Sequence, residues 1–385
     1  MTFETRAFEM RDGWAQEPIS ITGAEYVEPS ATRLLAPGQR VSHLFPRNVM
    51  TEYTLQRVTD RVWWVSRQFY NALFYVGNDG VLLLDVPLGS ATAILKAVRE
   101  VTGLPVTTVC YSHFHADHVG GARKLQELVG YPLRVIASEH TATWMESFGS
   151  DLPLPTDVVR WPDGVAEFEG TELRLRGLPR PGHSPDHCVW LLPQQRVGHS
   201  ADLINIDQLP FGGLAGQEPV VLFLANLRFA RDLDFDWFSG GHGNVGEKSD
   251  FDFYLRYLDE VAALVREECP RPDATPDLSQ TDYLDDLDEA ARDRLLRELD
   301  NHFGFYLRGR AIAGIEQSGQ AGGNPFLAGP VGEWAAARQK AVEEAVPRIM
   351  DRLRPAYGRM YNFEDAQPVN VRLMAMAIQP TLPNR

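Results

Sequence analysis

The chain has 385 residues, of which 44% are hydrophobic and 23% charged, an ordinary globular composition that allows one large domain and a smaller one. A formal net charge of −15 argues against nucleic acid as the main partner, because phosphate binding needs clustered lysine and arginine. Three widely spaced cysteines exclude a disulfide framework, and the sequence has no run of about 18 apolar residues that would span a membrane.

The N-terminal residues do not have the pattern expected of a signal peptide. The segment MTFETRAFEMRDGW has charges where a signal peptide needs an apolar stretch, which predicts a cytoplasmic protein. Residues 1–48 are polar, rich in Pro and Gly, and show no sustained periodicity. We therefore predict an N-terminal extension that wraps the following domain or is partly mobile.

Residues 49–268 alternate strand and helix signals, which predicts a layered sheet-and-helix domain. The predicted strands are 53–58, 61–66, 73–76, 81–85, 106–111, 133–138, 166–168, 172–178, 188–192, 196–199 and 236–238. The predicted helices are 91–101, 121–129, 140–145 and 219–231. Asn78-Asp79-Gly80 is a hairpin turn signal.

Strand signals become rare after about residue 250, so residues 269–385 are predicted to be a helical C-terminal region. Helices are predicted at 251–267, 284–301 and 334–353, with a polar connector at 270–281. Aromatic residues recur here, at Phe251, Phe253, Tyr254 and Tyr257 and in the cluster 302–306. They fit a helix core, an apolar substrate pocket or a homodimer interface.

The segment HFHADH, directly after a predicted strand, concentrates metal-binding side chains. His113 and His115 are two apart, so their imidazoles leave an extended segment on the same side. Asp117 and His118 follow where the chain turns into a helix. Only 10 of the 385 residues are histidine, so three within six positions indicate a metal site rather than chance.

HFHADH resembles the HxHxDH motif of the metallo-β-lactamase superfamily, and the resemblance extends over roughly residues 50–250. RPGHSPDH is similar to the second histidine motif of the family and points to His183. GHSADL resembles the bridging-aspartate segment at Asp202, and SGGHG resembles the last motif at His242. Asp85 matches the early aspartate of the family, which lies behind the ligands.

The resemblance implies an α/β fold, an αββα metallo-β-lactamase sandwich, here with a helical C-terminal extension. It assigns His113, His115 and His183 to one metal ion. It assigns Asp117, His118 and His242 to a second ion, with Asp202 bridging the two. Imidazole and carboxylate donors suit zinc, with iron or manganese as alternatives, so the cofactors predicted are two divalent metal ions.

The function implied is a dinuclear hydrolase in which a metal-bound hydroxide attacks an ester, lactone or thioester carbonyl. Asp117 would orient the nucleophile and take up its proton. Asn205 stands where related lactonases have tyrosine; its amide could donate to an oxyanion, or it could be a loop residue. His115 favours hydrolysis, because iron-containing redox members have a carboxylate at that position.

Other reactions and partners stay open at this point. A β-lactam or amide hydrolase and a phosphoric-ester hydrolase are alternatives within hydrolysis, and a non-heme iron oxygenase or a non-catalytic binding protein lies outside it. The partner predicted is a small-molecule substrate, without nucleic acid or membrane, and a homodimer is compatible with the aromatic residues.

The remaining histidines and cysteines have less specific roles. His187 and His199 are either supports for the ligands or structural residues. His140 is predicted to be structural. Cys188 and Cys110 lie in apolar strands and are predicted to be small buried apolar residues.

Overall fold

The structure, a computed structural model, describes residues 22–217, 220–269 and 330–378. The predicted connector 270–281, helix 284–301 and aromatic cluster 302–306 lie outside these ranges. The chain divides into two compact units: unit 1 comprises Met1–Leu209 with Leu222–Tyr254, and unit 2 comprises Pro210–Val221 with Leu255–Arg385. The domain boundaries at 48/49 and 268/269 stay predictions.

The segment before residue 51 contains regular structure. Strands β1 (Glu25–Val27) and β2 (Gln39–Val41) form a parallel pair, and helix α1 (Leu44–Met50) follows. The Val41 amide donates to Asn244 Oδ1 at 3.0 Å, which fixes β2 to unit 1. These elements have no sequence signal, because strands of three residues are too short to show periodicity.

A seven-stranded sheet of unit 1 places its strands in chain order from edge to edge. They are β3 (Thr54–Arg57), β4 (Val62–Arg67), β5 (Tyr70–Val76), β6 (Val81–Leu84), β7 (Val106–Cys110), β8 (Arg134–Ser138) and β9 (Asp157–Val159). Strands β3 to β6 are antiparallel, and β6 to β9 are parallel. Connections between the parallel strands contain α2 (Ala91–Val101), α3 (Ala116–Val119), α4 (Ala122–Val129) and α5 (Glu139–Ser147).

A six-stranded sheet completes unit 1, also in chain order. Its strands are β10 (Asp163–Phe168), β11 (Thr171–Gly177), β12 (Cys188–Leu192), β13 (Val197–His199), β14 (Trp237–Ser239) and β15 (Val245–Gly246). Strands β13 and β14 are parallel, and helix α6 (Val220–Arg231) lies between them in the chain. Parallel neighbours require such a crossover.

Adjacent tryptophans of β4 show how the layers form. Trp63 packs among residues of α2 and α4 on the outer face of the seven-stranded sheet. Trp64 points the opposite way, into an apolar core that contains Leu175 and Trp190 of the six-stranded sheet. The two sheets therefore enclose one core and the helices cover another. This arrangement confirms the predicted αββα sandwich.

The helical character predicted for the C-terminal region is confirmed in residues 330–378, the part of it that the structure describes. Helix α7 (Lys248–Glu268) continues from unit 1 into unit 2, which adds α8 (Pro330–Tyr357) and α9 (Phe363–Ile378). Within unit 2, the Tyr257 hydroxyl donates to Gln367 Oε1 at 2.7 Å. No helix in the described part of the chain is long and apolar enough to cross a membrane.

Candidate metal centre

The HFHADH segment lies at the carboxyl end of β7, where the chain turns into α3. His115 has extended backbone angles and is the N-cap of α3, so His113 and His115 precede the helix. Asp117 and His118 lie in its first turn. The change from extended chain to helix at residue 115 lets four side chains within six residues face one region.

The other predicted ligands come from loops at the same end of both sheets. His183 lies between β11 and β12, Asp202 follows β13 and His242 follows β14. Glycine is required beside His242: a Cβ on Gly240 would lie 1.9 Å from the Ile204 carbonyl oxygen, and Gly241 has φ +78. The SGGHG loop can therefore approach the loop of Asp202 closely.

Four side chains form a first group, with ligand atoms within 4.8 Å of one another: His113, His115, His183 and Asp202. His183 Nε2 lies 2.9 Å from His115 Nδ1 and 3.3 Å from His113 Nε2. Asp202 Oδ2 is 3.1 Å from His183 Nε2. Three ring nitrogens and a carboxylate oxygen thus surround one small volume.

A second group shares Asp202 with the first: Asp117, His118, Asp202 and His242. Asp202 Oδ2 is 3.0 Å from His118 Nε2, and Asp202 Oδ1 is 3.0 Å from His242 Nε2. Asp117 Oδ2 lies 3.6 Å from His118 Nε2. All seven predicted ligands therefore converge, and Asp202 lies between the two groups.

Burial and neighbouring charges together set the protonation of the clustered histidines and of Asp202. Burial, followed by the charge of His118, holds the pKa of His113 well below its ordinary value, and burial and His183 lower the pKa of His115. Burial alone would raise the pKa of Asp202, but His118 and hydrogen bonds with the surrounding histidines bring it well below the usual range. Burial would lower the pKa of His118, but Asp202 outweighs it and raises that pKa to about 9, so His118 has to release a proton when a metal ion binds. His113, His115 and Asp202 are already in the forms that bind metal.

The donor set fits two small divalent cations. Neutral imidazoles each carry one N–H, so three ring nitrogens at 2.9–3.3 Å cannot all be satisfied by one another. His242 Nδ1 donates to the Phe69 carbonyl oxygen at 2.6 Å, which leaves Nε2 with its lone pair toward Asp202. Groups of four imidazole and carboxylate donors are of the kind that bind divalent metal ions.

Asp85 connects two of the segments next to the clustered ligands through hydrogen bonds. Its Oδ1 accepts the Ser112 amide at 2.8 Å, and its Oδ2 accepts from His199 Nε2 at 2.8 Å. Asp85 is fully buried with φ 66, a backbone conformation that most residues avoid. It therefore joins the start of the HFHADH segment to the last residue of β13.

Asp186 and His187 are further supports. Asp186 Oδ2 accepts the Phe114 amide at 2.8 Å, between His113 and His115, and sequence reasoning did not identify it. The signal available was its position in GHSPDH, three residues after His183. His187 Nε2 donates to the Ala201 carbonyl oxygen at 2.8 Å, next to Asp202. Burial and His183 lower the pKa of His187 to about 3, so it is neutral.

Tyr70, the first residue of β5, was also not predicted. Its ring centroid lies 4.8 Å from that of His242 and 5.4 Å from that of His118. Burial, then the charges of Asp117 and Asp202, raise the pKa of its hydroxyl. A phenol O–H therefore lies at the edge of the second group.

Asn205 lies deep in the protein, and its catalytic role stays a prediction. Its amide N–H donates to the Tyr254 hydroxyl at 2.9 Å, and its carbonyl oxygen accepts from that hydroxyl at 3.1 Å. Its side-chain Oδ1 is buried and accepts no hydrogen bond within the described ranges. Tyr254 is thus used to hold the loop that follows Asp202.

The residues interpreted as structural are buried or stacked. Cys110 and Cys188 are fully buried, as predicted. His140 stacks on Trp161 at 4.2 Å, on the outside of the cluster. The aromatic residues of α7 are all buried, which supports the helix-core interpretation and not a pocket: Phe251, Phe253, Tyr254 and Tyr257.

Comparison with known proteins shows which family part of the chain is similar to. The family described as the metallo-beta-lactamase superfamily matches residues 66–242. The 2,4-dinitroanisole O-demethylase subunit alpha of Nocardioides sp. is 26% identical over 54% of this chain and 63% of its own length. A hydroxyacylglutathione hydrolase of Nitrobacter hamburgensis is 30% identical over 33% of this chain and 48% of its own length.

The chain thus spans between about half and just under two thirds of these relatives. Among solved structures, a metallo-beta-lactamase from Pontibacter korlensis has a TM-score of 0.46 at 21% identity, covering 54% of this chain and 99% of that one. The matched segment contains all seven clustered side chains. Residues 66–242, a little under half of the chain, are therefore similar to the metallo-β-lactamase superfamily.

Proposed function

We propose that the chain is a metal-dependent hydrolase of a small-molecule ester, lactone or thioester. In this proposal one ion is held by His113, His115, His183 and Asp202, and a second by Asp117, His118, Asp202 and His242. The observation that carries it is Asp202, whose two carboxylate oxygens contact histidines of both groups at 3.0–3.1 Å.

Each residue of the cluster has a separable task. Two divalent ions, when bound, supply a water of lowered pKa and polarise the electrophile. Asp117, whose side chain is 46% exposed, can accept a proton from that side of the site and orient the attacking water. Tyr70 can donate its hydroxyl proton in a hydrogen bond to an oxygen that gains negative charge.

Zinc is the metal we propose, because imidazole and carboxylate donors in groups of four suit it. Iron and manganese are the alternatives, since both accept the same donors. Metal analysis of the purified protein separates the three. Stoichiometric iron, with substrate-dependent oxygen consumption and no hydrolysis, would support the oxygenase instead.

The relatives guide the choice of substrates. Similarity to a hydroxyacylglutathione hydrolase supports a thioester. Similarity to a 2,4-dinitroanisole O-demethylase, which covers more of this chain, favours an aryl methyl ether as a second candidate. Both are small molecules that present a carbon centre to an activated water.

The test is a hydrolysis panel on protein of known metal content. It contains lactones, aryl esters, thioesters, 2,4-dinitroanisole, a chromogenic cephalosporin and a phosphodiester. We expect one class to turn over and Asp117→Asn to reduce that turnover about a hundredfold or more. Asp60→Asn is the matched control, because Asp60 is a surface aspartate with an 84% exposed side chain.

Three coarser expectations accompany this function as proposals. A cytoplasmic location is tested by cell fractionation, and a homodimer by sedimentation. The boundaries of a domain at 49–268 are tested by limited proteolysis of the full chain. Turnover of a nucleic acid or of a phosphodiester in preference to every ester would contradict the proposed substrate class.

A further inference from the structure

A cavity of about 390 Å³ lies in unit 1, and Phe114 and Ala116 of the HFHADH segment contribute to its wall. That volume is within the range of small-molecule sites, about 300–1,000 Å³. Its wall is mainly apolar, and the side chains used below are Leu88, Phe114, Met145, Phe148 and Leu152. The sequence analysis assigned no role to any of them.

The cavity is attached to the backbone of the proposed ligands. Phe114 lies between His113 and His115, and its ring centroid is 4.7 Å from that of His115. The Leu88 amide donates to the Asp117 carbonyl oxygen at 3.0 Å. Two walls of the cavity are therefore held directly by the segment that carries the ligands of both groups.

Two large apolar side chains in the wall of this cavity are exposed. Leu88 is 62% exposed and Phe148 is 64% exposed, although burial of either would be favourable by about 1.5–3 kcal/mol. The ring of Phe114 is 5.9 Å from that of Trp144 and 5.6 Å from that of Phe148, so the three rings form one aromatic face. Met145 is buried behind them.

The two charged side chains that line the cavity form an ion pair with each other. Arg123 Nη1 lies 2.8 Å from Asp151 Oδ2, so the cationic side chain that lines the cavity is already paired. Ser150 Oγ accepts the Leu152 amide at 3.3 Å and is also engaged. The lining thus favours an uncharged group over a carboxylate or a phosphate.

We propose that this cavity binds the apolar part of the substrate, an aromatic ring or an uncharged alkyl chain, while the scissile group lies at the metal centre. The inference rests on the proposed function and adds to it the substrate class: neutral aryl or medium-chain acyl compounds rather than highly polar ones. It also assigns Leu88 and Phe148 as specificity-determining residues.

The first test is kinetic and uses 4-nitrophenyl acetate, butyrate and hexanoate. Each added methylene is expected to raise kcat/KM about three- to fourfold while the chain is entering the cavity. In Leu88→Ala/Phe148→Ala, the hexanoate-to-acetate ratio of kcat/KM is expected to fall at least about tenfold. Leu128→Ala is the matched control, since Leu128 is an exposed leucine of α4 outside the cavity.

The second test needs no turnover. The neutral fluorophore N-phenyl-1-naphthylamine is titrated into the metal-loaded full chain, with circular dichroism to check that each variant is folded. We expect the double variant to weaken binding about tenfold or more, and Leu128→Ala to leave it unchanged. Phe148→Leu, which keeps an apolar group, is expected to restore most of the affinity.

The outcomes separate the two proposals. Ester turnover whose chain-length dependence is lost only in the double variant supports both. Absence of all turnover, with fluorophore binding weakened only in the double variant, supports the cavity and contradicts the hydrolase. Chain-length dependence and fluorophore binding that are the same in wild type and double variant overturn the cavity, whatever the turnover.

Discussion

Unit 1 buries two groups of polar side chains, and they differ in the origin of their positive charge. The metal centre has two carboxylates, Asp117 and Asp202, and five histidines. Its positive charge comes from His118, whose pKa is raised to about 9 by Asp202 although burial opposes this, and from any cation bound there.

The second group lies around Arg40 of β2, whose side chain is completely buried. Arg40 Nη2 is 2.7 Å from Asp250 Oδ2, and Asp250 also accepts the Glu247 amide at 2.7 Å. Asp207 is nearby; burial, opposed by Arg40, raises its pKa to about 7. This group contains its own permanent cation.

The group that faces a buried carboxylate indicates whether the carboxylate is structural or binds a cation. Where a guanidinium is paired with it, as in Asp250, the cluster joins segments distant in sequence and is structural. Where imidazoles that can lose their proton face it, as in Asp202, a divalent cation is a partner that fits. Substitutions in the two groups should therefore have different readouts.

The largest expected effect is on the metal centre. Asp202→Ala removes the carboxylate shared by both groups, so the metal content should fall to one ion or fewer per chain. Turnover should fall about a thousandfold, because each ion contributes several kcal/mol to the transition state. Elemental analysis and kcat/KM measure the two changes; two ions still bound per chain would refute the bridging role.

Arg40→Met should act on stability instead. It leaves the Asp250 carboxylate buried without its counter-charge, which costs about 3–5 kcal/mol in the free energy of unfolding. The metal content of the folded fraction should not change. Urea unfolding measures the loss, with Arg99→Met, an exposed arginine of α2, as control. Loss of metal without loss of stability would contradict the division between the two groups.

Asp207→Asn should change how stability depends on pH. The folded-state pKa of about 7 is above the unfolded value of about 3.9, so folded Asp207 keeps a proton that the unfolded chain has released. Wild-type stability should then decrease as pH rises from about 4 to 7, by about 1.4 kcal/mol per pH unit from this residue. The variant lacks this slope and should gain on wild type over that range. A difference in unfolding free energy that is constant with pH would contradict the burial of an ionisable Asp207.

The smallest effect expected is that of Tyr70→Phe. The ring contacts with His118 and His242 are kept and only the hydroxyl is lost. We expect kcat/KM to decrease about tenfold to a hundredfold at unchanged metal content, as for a partly exposed oxyanion donor. An unchanged kcat would remove Tyr70 from the reaction.

Regular elements with strong periodicity were predictable from the sequence. The helix predicted at 91–101 is α2, with the same bounds, because Ile94, Ala97 and Val98 recur at helical spacing and are all buried. Helix α9 was not predicted, because Pro368 interrupts its pattern although it lies inside the helix. β1, β2 and β15 have two or three residues each and depend on partners distant in the chain.

Only part of the candidate site was predictable from local sequence. The HFHADH segment carries four metal-binding side chains within six residues, whereas Asp202 and His242 were found by resemblance to the family. Tyr70 has no motif around it. It reaches the site because the Asn71 amide donates to the Gly241 carbonyl oxygen at 2.8 Å, a contact between two sheets that a linear pattern does not contain.

The position of Asp202 between the two groups has a consequence for the lifetime of the folded chain. The HFHADH segment follows a strand of one sheet, and Asp202 and His242 follow strands of the other. A cation bound by both segments would therefore connect the two sheets of the sandwich. Folding and cation supply are then linked: each tenfold excess of free metal over its Kd adds about 1.4 kcal/mol of stability per site. We expect loss of the metal ions to separate the two sheets of the sandwich. The supply of metal would then determine how fast the protein is degraded in the cell as well as how active it is.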